Sequence, residues 1–232
     1  MLVSWWISVG WGCEPVEMDA LTVEPGAVMV LGERHGRVED LDRAATLVEA
    51  AAQRGPVTVA LEAVSADHQD VLDQLTKGRI RARKVRRLAN WAETWGYAFK
   101  PYKALLGVRG VRYVAAGPKL GPKPPEADVE VPDVYEERLA SVAAHHAHGS
   151  GDPAEVRKFA EAMAWRDYRI AELALAGWDG ESALIVVAGR GHVQGGLGIT
   201  WQFDTGLTDA EHQRVLLAPS GECEDGDLVL GG

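Results

Sequence analysis

Cysteine is almost absent from this chain. Cys13 and Cys223 are the only two in 232 residues and no Cys-x-x-Cys pair occurs, which excludes thiolate zinc and iron–sulfur sites. Nor is there a run of about 18 apolar residues, the length that a membrane-spanning helix needs. Positive charge is in deficit: 24 Lys and Arg against 34 Asp and Glu give a formal net charge of −10. A general nucleic-acid binder, which needs a clustered positive surface, is therefore excluded. No internal repeat of fixed period occurs. What is present is an ordinary globular composition, 47% hydrophobic and 25% charged, in a chain long enough for one domain with a sizeable core.

Residues 1–12 are apolar and uncharged, and they end in Gly12-Cys13 followed by Glu14 and Pro15. That order matches the end of a lipoprotein signal peptide, which would set residues 1–13 apart from the fold. Lipid on Cys13 would then anchor the chain at the cell envelope. No Lys or Arg precedes the stretch, so the signal is incomplete, and a first strand in a cytoplasmic protein is the alternative.

Further along, short apolar runs alternate with helical periodicity, the pattern of βαβ units. Strands are predicted at 28–33, 57–62, 111–115 and 183–188. The first predicted helix starts near Asp40 and carries Leu41, Ala44, Leu47, Val48 and Ala51 on one face, with Gly55 as its stop. Ser65 is the expected cap of a short helix that runs through Leu75. A basic and then tryptophan-bearing helical region follows over 80–95, and a Pro/Gly loop over 117–125. The best-signalled helix has Asp152 as cap, Pro153 at its first position and Glu155 at capping-box spacing. Its expected apolar stripe is Val156, Phe159, Met163, Ile170 and Leu173, ended by Gly177. Residues 199–203 and 214–218 read as a terminal hairpin or added edge strands, and 220–232 as a loose acidic tail. The expected fold is α/β: a single domain over about 28–203, with a mainly parallel β-sheet of four or five strands flanked by helices. Residues 204–232 form a small C-terminal extension.

Ligands of open α/β sheets bind beyond the carboxyl ends of the strands. Three predicted strands end in reactive side chains: Gly32-Glu33-Arg34-His35, Glu62, and Gly189-Arg190-Gly191-His192. Two imidazoles and two carboxylates on one rim suit a metal ion, because imidazole nitrogen is the commonest protein metal ligand. The same four residues also suit general acid–base catalysis. One G-x-x-H turn alone reads as a helix cap; two at corresponding strand ends favour a site. Arg166 and Asp167 fall on the apolar stripe of their helix, where charge is costly unless paired. They read as a buried pair, either fixing the helix on the sheet or supporting the site from behind.

These pieces resemble the ChaN-like haem-binding proteins of the Tiki/erythromycin-esterase group. The residues that carry the resemblance are Gly32 to His35, Ala60-Leu61-Glu62, Trp91 to Tyr97 with Tyr102, Arg166-Asp167, and Ala188 to His192. They occur in the family's order over about 28–203. The resemblance implies a haem or divalent-metal site at the rim of His35, His192, Glu33 and Glu62, and a role in haem or iron handling. Tyr97, Tyr102 and Arg190 join it as contacts for a haem. It implies as the alternative a metal-assisted hydrolase of peptides or esters that uses the same four rim residues. A homodimer is left open. The chain departs from the family pattern at one place: Asp40 and Leu41 stand where further histidines are usual, and Asp40 would either ligate a hard metal or cap its helix.

Other signals have plainer readings. The run over 79–87 (RIRARKVRR) carries six positive charges and reads as a solvated helix face, with haem propionates, an anionic lipid surface or a polyanion as alternative partners. Trp91 and Trp95, four apart, form either an aromatic wall for a porphyrin or ordinary core. His145, His146 and His148 suit the end of an alanine-rich helix.

Overall fold

The computed structural model describes residues 13–119, 129, 131–146, 152–217 and 227–230. In chain order it places β1 (Glu14–Val16), β2 (Val28–Glu33), α1 (Val38–Ala52), β3 (Val57–Ser65), α2 (Gln69–Thr76), α3 (Ala82–Leu88) and α4 (Trp91–Thr94). There follow β4 (Arg112–Gly117), α5 (Asp133–His146), α6 (Pro153–Gly177), β5 (Ala183–Gly189), α7 (Ile199–Gln202), β6 (His212–Leu216) and β7 (Leu228–Leu230). The strands make one sheet in the order β1-β7-β6-β2-β5-β3-β4, and every neighbouring pair is parallel.

A parallel sheet has helices on both faces, so its central strands are apolar throughout rather than alternating. In β2 all six residues are buried. Met29 and Leu31 pack with Leu41, Leu47 and Val48 of α1 and Leu72 of α2 on one face. Val28 and Val30 turn the other way, onto Ile170, Ala171 and Ala174 of α6 and Phe203. The two-residue period of a strand thus serves two separate cores. Helix α6 opens as its sequence requires, with Ala154 N–H donating to the Asp152 carboxylate at 2.9 Å. Its innermost stripe is not the large apolar set expected from the sequence but Ala160, Ala164, Asp167, Ile170, Ala171 and Ala174. Small residues let the helix lie close to the sheet: a Cβ at Gly177 would stand 2.4 Å from Val114 Cγ1.

Several expectations need correction. The sheet has seven strands, not four or five. Residues 199–203 are helical: they supply α7, which connects β5 to β6 and allows β6 to lie parallel to β2 rather than in a hairpin. The region 80–95 is broken into α3 and α4 at Asn90, which takes a left-handed φ of 47°. Ser65 ends β3 and makes no capping bond. Residues 228–230 are ordered as β7, beside β1 and β6, so part of the expected tail belongs to the sheet. Cys13 is disulfide-bonded. Among the described residues no helix is long and apolar enough to cross a membrane. The segment 1–12, most of the loop at 117–125, His148 and residues 218–226 lie outside the described residues.

Two features position the rim. Glu33 of β2 is in register with Gly189 of β5, so both G-x-x-H turns leave the sheet at the same end. The register between β3 and β4 shifts between Leu61 and Ser65, an irregularity that re-aims the side chain of Glu62. Gly117 makes room for it, since a Cβ there would stand 2.3 Å from the Glu62 carbonyl oxygen and 2.8 Å from that of Val64. Backbone cannot step aside as a side chain would. Gly117→Ala should therefore destabilise the fold by about 1–3 kcal/mol, read as a lower urea midpoint at unchanged slope; an unchanged midpoint would show that β3 tolerates the methyl group.

Candidate functional site

The turn after β2 is held by its own residues. Asp40, in the first turn of α1, is fully buried. It accepts from Arg34 N–H (2.9 Å), Nε (3.0 Å) and Nη2 (2.8 Å). It neither caps its helix by a side-chain bond nor stands open to a metal; it pins the turn. Gly36, at φ 76°, completes the reversal. His35 is thereby laid across Gly189 of the neighbouring strand, where a Cβ would sit 2.5 Å from its Cε1 and 2.7 Å from its Nε2. Glycine at 189 is a condition for the imidazole to occupy this place.

His35 Nδ1 bonds Glu33 Oε1 at 2.6 Å. A carboxylate only accepts, so Nδ1 carries a proton, and in the neutral tautomer the lone pair is on Nε2. The same Glu33 oxygen accepts from the Tyr102 hydroxyl at 2.9 Å, and Tyr102 accepts from Trp95 Nε1–H at 3.0 Å. Around the imidazole stand Trp95, edge-on at 4.7 Å between ring centroids, and Tyr97 at 4.6 Å. Trp91 Nε1–H donates to the carbonyl of Tyr97 (2.9 Å) and fixes that loop. The two tryptophans divide the two readings between them: Trp91 is core, 2% exposed, while Trp95 is the wall. Tyr97 is 46% exposed. Tyr102 is not open to a ligand; burial and the Glu33 charge push its phenol far above the usual range, so phenolate ligation there is not supported.

The second turn behaves differently. His192 is buried, with Nδ1 2.5 Å from Asp167 Oδ1 and Nε2 3.4 Å from Glu62 Oε1. Glu62 also accepts from Arg166 through Nη2 (2.7 Å) and Nε (3.1 Å), and from Gly189 N–H (2.8 Å). The Tyr135 hydroxyl donates to the other Asp167 oxygen. Burial alone would lower the His192 pKa, but the charges of Glu62 and Asp167 outweigh it and raise the value to about 10. Burial raises Glu62 in turn, yet His192, Arg166 and His35 together hold it well below the usual carboxylate range. Burial pushes Asp167 upward, against the opposing pull of His192 and Tyr135. The result is a compact ionic cluster in which a protonated imidazole bridges two carboxylates.

The expected Arg166–Asp167 pair is corrected: the two neighbours do not bond each other but clamp different carboxyl and imidazole groups of the same cluster. The expected metal site gains no support: His192 lies between two carboxylates, Glu62 is already engaged at both oxygens, and among the described residues no group of three His, Cys, Asp or Glu side chains is arranged to hold an ion. Arg190 lies half-buried on the rim and donates to Gln194 (3.0 Å). Tyr135 escaped sequence reasoning altogether; its one signal was a phenol in the first turn of an otherwise alanine-rich helix.

A family model described as haem-binding uptake, Tiki superfamily, ChaN matches residues 21–117 and again 107–203. No curated protein matches the sequence. Among solved structures, the chain is similar to ChaN of Campylobacter jejuni, seen with cofacial haem binding. That likeness has 20% identity and a TM-score of 0.71, and covers 89% of this chain and 87% of the other. It is one of fold. The type III effector HopBA1 (14% identity, TM-score 0.46, 97% and 98% covered) and a bacterial protein toxin (16%, 0.45, 85% and 35%) superpose too loosely to bear on the site.

The ionic cluster makes two predictions. His192 should remain a doubly protonated imidazolium at pH 8 in side-chain nitrogen NMR. Because its folded pKa lies above 6.5, the stability it contributes is complete below pH 6.5 and is lost as pH rises through about 10. A neutral His192 at pH 8 would contradict this. Secondly, Asp167→Ala strands a buried cation and should cost about 3–5 kcal/mol in denaturant melts. Arg166→Ala should cost less, since that side chain is 22% exposed.

Proposed function

The chain belongs to the haem-binding uptake family, ChaN, of the Tiki superfamily, and on that basis we propose that it takes up haem at the face formed by His35, Trp95 and Tyr97. One observation carries this placement: Glu33 holds His35 by its Nδ1 and leaves Nε2 without a hydrogen-bond partner among the described residues, in a ring that is 23% exposed. An imidazole so oriented is the usual proximal ligand of haem iron, and a tyrosine is the other option that the exposed Tyr97 supplies.

The surroundings support a flat apolar guest. Among the described residues only three large hydrophobic side chains are strongly exposed, and two of them, Tyr97 at 46% and Val38 at 44%, flank the 34–37 turn. Exposed apolar surface gathered at one place marks a binding site rather than chance. Arg37 and Arg190, at the same rim, have the charge that propionates need. The ionic cluster around Glu62 has a different task in this reading: it holds Gly189, the floor under His35, through the amide bond to Glu62. A metal-assisted hydrolase has no support at Glu62, whose two oxygens are both engaged, whereas Glu33 keeps one buried oxygen, Oε2, without a hydrogen-bond partner.

Iron or haem handling at the cell envelope is part of the proposal. Two fates compete for one sulfur, since Cys13 is disulfide-bonded here and a thioether to lipid would use the same atom. An intact mass of the native chain, with and without reductant, separates them.

Haemin added to the purified protein should give a shifted, saturable Soret band. His35→Ala should weaken binding at least tenfold, and Tyr97→Phe should change the band position if the phenol contributes. A flat titration, or one that His35→Ala and Tyr97→Phe both leave unchanged, would place the haem elsewhere or nowhere.

A further inference from the structure

The basic run that the haem site leaves unused folds into a cleft. Helix α3 brings Arg83, Arg86 and Arg87 onto one side, three and four residues apart. At Asn90, with its left-handed φ of 47°, the chain reverses into α4. Where the two helices meet there is a cavity of about 410 Å³ lined by Arg83, Arg86, Arg87, Asn90, Trp91, Ala92 and Glu93. Clefts of about 300–1,000 Å³ are the ordinary size of small-molecule sites.

We propose that this cleft is an anion site for a phosphomonoester or pyrophosphate group, separate from the haem face. Its lining supplies donors almost alone: three guanidinium forks and the Asn90 amide. No described carboxylate bonds any of the three arginines, although the protein as a whole carries a net charge of −10. An acidic chain that gathers unneutralised arginine around a concavity has an anion as its complement. Charge counting narrows the class: three arginines and Glu93 sum to +2, which a phosphoryl group of two or more negative charges meets and a single carboxylate does not. The planar guanidinium fork matches phosphoryl oxygens two at a time. Arg79, Arg81 and Lys84, all exposed on the same segment, extend the positive field that would steer the anion inward.

None of the residues lining the cleft is one of those at the haem face, and Trp91 connects the two: it lines the cavity, and its ring meets Tyr102, which bonds Glu33 beneath His35, at 4.9 Å. The phosphoryl group has two possible sources, a free phosphorylated small molecule or the headgroup of an acidic phospholipid, and both offer the same chemistry to the arginines.

Calorimetric titration of the full chain with inorganic pyrophosphate, at about 0.15 M salt to suppress long-range attraction, tests the site. A parallel sedimentation assay uses phosphatidylcholine vesicles with and without phosphatidic acid. Saturable pyrophosphate binding, weakened at least tenfold in the exposed triple variant R83Q/R86Q/R87Q, is the expected result. Phosphatidic-acid-dependent sedimentation lost in the same variant, without pyrophosphate binding, assigns the headgroup as the source. Neither probe binding, or binding that the triple variant leaves intact, overturns the proposal. So does loss of haemin affinity in that variant, which would make the arginines the propionate end of the haem site. The variant's melting temperature confirms that it is folded.

Discussion

A carboxylate buried at the end of a parallel strand has to be satisfied by protein, because water does not reach it. Glu62 is that carboxylate, 2% exposed, and its partners come from three separate parts of the chain. Arg166 arrives from α6, His192 from the turn after β5, and the amide of Gly189 from the end of β5 itself. Satisfying one charge therefore ties the long helix, the two central strands and a loop into one arrangement. His35 depends on it at one remove, since it rests on the glycine that Glu62 holds. The charges close on themselves: Glu62 and Asp167 against Arg166 and protonated His192, with Tyr135 covering the remaining oxygen.

The two G-x-x-H turns show how little a short motif says about the state of its histidine. Both leave the sheet at the same rim, in register. One imidazole has a single carboxylate on Nδ1 and keeps Nε2 as an acceptor. The other has carboxylates on both nitrogens and is a cation. The difference lies not in the turns but in what α6 brings to them: Asp167 bonds His192, and among the described residues no side chain bonds the Nε2 of His35.

Much of the architecture was legible in the sequence. Short, Val-rich apolar runs at 28–33, 57–62 and 183–188 read as strands buried on both faces, and the Asp152-Pro153 start of α6 shows in its residue types. Residues 199–203 misled because Ile, Thr, Trp and Phe favour strands, while the need for a crossover between parallel strands made this segment helical. The rim was legible as a set of residues but not as a network. Charges on an apolar helix stripe announce that partners exist; they do not say that Arg166 reaches residue 62 and Asp167 reaches residue 192, because those pairings are fixed only when the sheet is assembled. Tyr102 was misjudged for the same reason: a phenol's neighbours decide whether it faces a ligand or, as here, holds a glutamate.

The outer edge of the sheet is built from opposite ends of the chain, with Glu14, Pro15 and Val16 seated against Leu228, Val229 and Leu230. Residues made more than two hundred positions apart must meet before that edge exists. Until β7 has been made, β1 lacks its partner and the outer side of β6 is a bare template for another strand. Assembly of this edge thus waits for residues 228–230, and until they are in place the chain presents the kind of surface that chaperones guard.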